Sequence, residues 1–85
     1  MSASLVILYA LSTCIHCRRT REFLEQNNIA FECTYVDKLL GQERDAALEK
    51  IRVVNPSLSF PTLIVGDAGV VVIGFKPDAI REALA

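Results

Sequence analysis

The chain has 85 residues, 52% of them hydrophobic, and no Ser-, Gly- or Pro-rich stretch long enough to be a linker, so one domain spanning 1–85 is expected. Its 9 basic and 10 acidic residues lie scattered, leaving a formal net charge of -1 and no cationic face to collect phosphates, which argues against nucleic acid as a partner. The apolar runs 5–8 and 70–73 are strand-sized, far below the roughly 20 residues that span a bilayer, so no membrane association is expected either.

In chain order, Leu5-Val6-Ile7-Leu8-Tyr9 is a continuous apolar, β-branched run, as in a central strand covered on both faces. Residues 10–13 form a short connection, polar at its end. From Ile15 the spacing turns helical, with Phe23 and Leu24 following basic and acidic residues, until Asn27-Asn28 breaks the helix. Residues 30–37, rich in strand formers, make a second strand; reached by a helical crossover, it must be parallel and right-handed. Lys38-Leu39-Leu40-Gly41 reads as a loop without a motif. Ala46, Ala47, Leu48, Ile51 and Val54 place a second helix over 42–54, ended by Asn55-Pro56. The apolar runs 61–65 and 70–73 flank Gly66-Asp67-Ala68-Gly69, a hairpin turn. Pro77 suits a first helical position, with Asp78, Ile80, Ala83 and Leu84 completing a short terminal helix. The expected order is βαβαββα: an α/β fold with a four-stranded mixed sheet, the first strand central and three helices packed on its two faces.

The three cysteines form an odd count, unlike the paired framework of a disulfide-rich secreted domain. Met1-Ser2-Ala3-Ser4 lacks the basic flank and cleavage site of a secretory signal, so a cytoplasmic location is expected. In a reducing compartment, two close cysteines more often do chemistry or bind metal than cross-link a fold. Cys14-Ile15-His16-Cys17 falls at the junction of the first strand and first helix, and C-x-x-C beside a βαβ pattern is a redox signature. The unpaired N–H groups and dipole of a helix N-terminus favour an anion at Cys14, and only a thiolate attacks disulfides. Cys17, one helical turn on, is expected beneath Cys14, more buried and placed to resolve a mixed disulfide.

Arg18, Arg19 and Arg21 either support the thiolate or are solvated surface. His16, the only histidine, either stabilises the Cys14 thiolate when protonated or is an exposed polar residue at the helix start. Cys33, inside the second strand, reads as a small core residue, with a regulatory thiol as the minor alternative.

The pattern Tyr9-x-x-x-x-Cys14-x-x-Cys17, then Phe60-Pro61-Thr62, then Gly74-Phe75, resembles the glutaredoxin family over nearly the whole chain. That resemblance implies a thioredoxin-like fold and a small thiol–disulfide oxidoreductase, an electron carrier in redox homeostasis whose catalytic pair is Cys14 and Cys17. It also implies a cis Pro61 opposite the cysteines, leaving the Phe60 backbone free to pair with a bound peptide or glutathione. Substrate contacts are then expected at Thr13, Ile15 and His16, at Phe60, Pro61 and Thr62, and at Gly74, Phe75 and Asp78. For Asp78 the competing role is to cap its own helix.

Glutaredoxins that use glutathione usually have Pro-Tyr between the cysteines, where this chain has Ile15-His16. They usually have a lysine where Leu11 stands, and Gly-Gly where Ile73-Gly74 stands. Gly74-Phe75-Lys76-Pro77-Asp78 is instead similar to redoxins that take electrons from thioredoxin reductase and serve ribonucleotide reductase. These departures weigh against glutathione. The expected cofactor is therefore none beyond the Cys14–Cys17 disulfide, and the expected partners are disulfide-bearing proteins or small molecules and an external reductase. That reductase is thioredoxin reductase-like, ferredoxin-linked or the glutathione system, and the protein is expected to be monomeric.

Two other readings compete with this one. A metal module would use Cys14 and Cys17 as part of a tetrahedral site, or Cys14 in a dimer bridging an iron–sulfur cluster. A noncatalytic adaptor would bind a partner at Phe60.

Overall fold

The computed structural model describes residues 5–66 and 69–84. Within it, β1 (Val6–Ala10), α1 (Ile15–Gln26), β2 (Glu32–Tyr35), α2 (Gly41–Val54), β3 (Thr62–Val65), β4 (Val70–Ile73) and α3 (Pro77–Leu84) follow the expected βαβαββα order. The sheet runs β2-β1-β3-β4. β1 is parallel to β2 and antiparallel to β3, and β3 is antiparallel to β4. β1 is thus an interior strand, which is why its run is apolar on both faces.

Alternation along β1 sorts the core into two layers. Val6, Leu8 and Ala10 point to the side where Cys17 and Leu24 of α1 and Ile80 of α3 pack, together with Leu63, Val65 and Val72. Tyr9 points to the other side, against Val36 and Ile51 of α2, with Ile7, Leu11, Leu48, Leu58, Phe60 and Ile64 at its margin. α1 and α3 therefore cover one face of the sheet and α2 the other.

Several boundaries differ from the sequence reading. β1 lies one residue later than expected. β2 covers half of the 30–37 run, because Val36–Lys38 turns into a short 3₁₀ segment that buries Val36 beneath α2. The loop expected at 38–41 shrinks accordingly, and α2 begins at Gly41. α1 stops where Asn27-Asn28 was expected to stop it: the Asn27 side-chain amide donates to the Phe23 carbonyl (2.8 Å), and Asn28 adopts φ 57. In the β3–β4 hairpin, Gly66 and Gly69 have positive φ and the Gly69 amide donates to the Gly66 carbonyl (3.1 Å). The remaining turn residues, Asp67 and Ala68, lie outside the described residues, as do Met1 to Ser4.

The register decides what meets at the end of the sheet. β1 and β3 pair up to Tyr9–Thr62, so the next residues out are Ala10 and Leu11 on one strand, Pro61 and Phe60 on the other. The Gly74 amide donates to the Pro61 carbonyl (2.9 Å), continuing the β3–β4 ladder past Thr62–Ile73. β2, parallel to β1, delivers Tyr35, Val36 and Asp37 to that same end. Four segments distant in sequence converge there.

Candidate active site

Cys14 occupies the N-cap of α1, with extended backbone (φ -91, ψ 121), and its sulfur accepts the Cys17 amide at 3.2 Å. A residue with a short acceptor side chain is what a helix start calls for, and here the acceptor is sulfur. The aligned peptide dipoles and this directed N–H both favour negative charge on that atom. Cys14 is half-buried, Cys17 is only 2% exposed, and both are free thiols.

Burial pushes the Cys17 thiol up to about 12, and its hydrogen bond with Cys14 pushes the same way. The Leu11 amide, 3.5 Å from the Cys17 sulfur, opposes them. The two sulfurs are therefore unlike. One is half-buried and accepts the Cys17 amide; the other is buried, and its surroundings favour the protonated thiol.

Around the pair, Thr13, Ile15 and His16 are exposed, Ile15 at 53%. The His16 carbonyl accepts the hydroxyl of buried Thr20 (2.9 Å), while its imidazole makes no hydrogen bond to either sulfur among the described residues. Arg18 pairs with Glu22 (3.2 Å), and Arg21 donates to the Tyr35 hydroxyl (2.6 Å) and lies 3.9 Å from Glu25, so both are engaged along α1 and β2. Arg19 is exposed.

Across the sheet end, the Phe60–Pro61 peptide is cis, Phe60 is half-buried and Pro61 is buried. Phe60 packs at the margin of both core layers, and Cys14 at the margin of the first. The other expected contacts sort differently. Thr62 is fully buried, and its hydroxyl donates to the Ser59 carbonyl (2.8 Å) and accepts from Asn55 (3.0 Å), so its side chain faces inward. Gly74, at φ 87, is brought to the site by its bond to Pro61. Phe75 is half-buried and meets Phe23 of α1 edge-on, at 6.2 Å between ring centroids. Asp78 is not the cap of α3: the helix begins one residue earlier, and the Asp78 carboxylate reaches forward to Arg81 (3.1 Å), fully exposed. Cys33 is half-buried beside Tyr35 rather than fully internal, with burial raising its thiol above the ordinary range.

Two contacts had no signal in the sequence. Asp37 accepts the Ser12 amide (3.0 Å) and the Ser12 hydroxyl, tying the segment before Cys14 to the end of β2. Asn55, 1% exposed, donates to the Ser59 carbonyl (2.9 Å), the Ser59 hydroxyl (3.2 Å) and Thr62, fixing the loop that presents Phe60.

A buried and a half-exposed thiol at a helix N-terminus, on a four-stranded mixed sheet faced by three helices, define a thiol–disulfide oxidoreductase of thioredoxin-like fold. The glutaredoxin family model matches residues 6–70, and the chain belongs to the glutaredoxin family. The glutaredoxin of Methanosarcina mazei Go1 is similar at 42% identity, with a TM-score of 0.88 over 100% of this chain and 84% of that one. Methanosarcina acetivorans methanoredoxin is similar at 38% identity, with a TM-score of 0.90 over 98% and 86%. NrdH-redoxin from Escherichia coli, a glutaredoxin-like protein with a thioredoxin-like activity profile, shares 27% identity and a TM-score of 0.74 over 92% of each chain. A search of curated proteins gave no match. The metal-centred alternative is not favoured, and among the described residues no group of three or more His, Cys, Asp or Glu side chains is placed to hold a metal ion.

Proposed function

We propose that the chain acts as a single-domain dithiol reductase in which Cys14 is the nucleophile, Cys17 the resolving thiol, and Phe60–Pro61 the edge that receives the disulfide-bearing substrate. The observation that carries this reading is the asymmetry of the pair: Cys14 half-buried at the helix N-cap, Cys17 buried with its thiol pushed up to about 12. The Cys14 thiolate attacks one sulfur of the substrate, forming a mixed disulfide and releasing the other sulfur as a thiol. Cys17 then gives up its proton and attacks Cys14, releasing the second substrate thiol and leaving the Cys14–Cys17 disulfide. Thr13, Ile15 and His16 rim the nucleophile, and Gly74 and Phe75 close the far side. Thr62 and Asp78 contribute through the backbone and through α3.

For the electron donor we favour a thioredoxin reductase-like flavoprotein in the cytoplasm over glutathione or a ferredoxin-linked reductase. Leu11, where glutathione-using relatives carry a lysine, packs as an apolar residue at the margin of the α2-side core beside Phe60. No cation stands at that position to meet a glutathione carboxylate. The similarity to a protein described as thioredoxin-like in activity supports the same choice.

The test is NADPH-coupled reduction of a protein disulfide, run with thioredoxin reductase and separately with glutathione plus glutathione reductase. Turnover with the first alone is expected; turnover with glutathione alone would overturn the donor assignment. In either system Cys14→Ser should be inactive and Cys17→Ser should accumulate mixed disulfide. A fully active Cys17→Ser variant would sink the dithiol mechanism.

A further inference from the structure

The peptide group between Leu11 and Ser12 is gripped at both ends. Its N–H, on Ser12, donates to Asp37 Oδ1 (3.0 Å), while its carbonyl, on Leu11, accepts the Cys14 amide (3.2 Å). A second bond, from the Ser12 hydroxyl to Asp37 Oδ2, fixes the same residue through its side chain. The Leu11 amide, in the preceding peptide group, donates to the Cys17 sulfur (3.5 Å). It is the only amide on that sulfur among the described residues. An ionised carboxylate at one end of a hydrogen-bonded series polarises and orders the rest. The Ser12 hydroxyl and amide hold the Asp37 carboxyl below its usual range, so it is ionised at neutral pH.

The two cysteines use this arrangement at different moments. When Cys14 attacks, its charge is met by the Cys17 amide and the helix N-terminus, neither of which Asp37 contacts. When Cys17 attacks, negative charge appears on a buried sulfur, and the Leu11 amide is the backbone donor that meets it. From this we infer that Asp37 is a positioning residue for the resolving step: through Ser12 it holds the Leu11 amide on the Cys17 sulfur and Cys14 within reach of it. Asp37 touches neither sulfur, lies on a different element, and acts only through the 11–12 peptide. The inference rests on the dithiol reading above and adds a residue to it.

The chemistry probed is a complete exchange. Reduced protein attacks bis(2-hydroxyethyl) disulfide: a Cys14–S bond to the reagent forms, its S–S bond breaks, and one mercaptoethanol leaves. Cys17 loses a proton to solvent, its sulfur bonds to Cys14, and the second mercaptoethanol leaves, taking up a proton. The protein is oxidised by two electrons and the reagent reduced by two.

Quenched-flow sampling with mass spectrometry counts the mixed disulfide and the intramolecular disulfide separately, in a Cys33→Ala background so that Cys14 and Cys17 alone report. Asp37→Ala should form the mixed disulfide within about twofold of the parent rate. It should resolve that disulfide about tenfold more slowly, the size expected for weakening one hydrogen bond to a charged sulfur. Asp37→Asn, which keeps an acceptor for the Ser12 amide, should recover most of the resolving rate. Ser12→Ala, which keeps the amide bond to Asp37, should slow resolution less than Asp37→Ala does. Equal slowing of both steps in Asp37→Ala, no slowing of either, or failure of Asp37→Asn to recover the rate would overturn the inference while leaving the dithiol reading intact. A parent protein that never converts its mixed disulfide to the intramolecular one would overturn both.

Discussion

The chemistry rests on a difference between two identical side chains, and that difference is made by position. Cys14 and Cys17 are one helical turn apart, yet one caps the helix and the other is inside the core. The folded protein holds the Cys17 proton to about 12, above the ordinary 9.0, so it binds that proton more tightly than the unfolded chain does. The stability this contributes is fully present below about pH 9 and is lost as pH rises toward about 12. In denaturant titrations of the reduced protein, the parent should lose about 1 kcal/mol more than Cys17→Ala by about pH 10, from one unit of differential protonation. Parallel pH profiles for the two proteins would show that burial is not what restrains Cys17. The pair itself was legible in the sequence because spacing and a strand-to-helix junction suffice to find it. The Asp37–Ser12 bonds were not, since a contact across 25 residues between a strand end and a loop leaves no periodic trace.

At the scale of elements, hydrophobic periodicity and turn residues found the strands and α-helices of the described residues, because those features are set by neighbours a few residues away, but not the 3₁₀ segment at Val36–Lys38. They misplaced the end of β2, where burial of Val36 against α2 overrode a run of strand formers. They also read Asn55 only as a helix stop. It stops α2, but its side chain then ties down the loop to Phe60, donating to Ser59 and Thr62 from a buried position. Asn55→Ala removes those donors from a buried position, leaving the Thr62 hydroxyl short of a partner inside the fold. A loss of about 2 kcal/mol is expected, which for a chain of this size lowers Tm by roughly 10 °C. Because the loop carries the proposed substrate edge, reduction of a protein disulfide should fall further than reduction of a small disulfide. A Tm within 2 °C of the parent, or equal losses on both substrates, would contradict this role for Asn55.

For the whole molecule, the sheet divides two cores with different relations to the site. The layer under α1 and α3 contains Cys17 itself, and Leu24, two turns further along α1, is fully buried in the same layer. The layer under α2 centres on Ile51, also fully buried, with Tyr9 and Val36. Replacing either large residue by alanine leaves a cavity and should cost about 2–5 kcal/mol, a large part of the roughly 5–15 kcal/mol that holds a small domain folded. The chemical consequences should differ. A cavity at Leu24 opens in the layer that holds Cys17, two helical turns away, and should loosen the packing that keeps its sulfur from solvent, whereas a cavity at Ile51 lies across the sheet from it. In the folded, reduced protein at low temperature, iodoacetamide should modify Cys17 several-fold faster in Leu24→Ala than in the parent, and at close to the parent rate in Ile51→Ala. The two variants have similar stability losses, so general fraying would expose Cys17 in both. Equal acceleration in the two would mean that the sheet does not insulate the site from the α2 side, and that the burial of Cys17 belongs to the whole fold rather than to one layer of it.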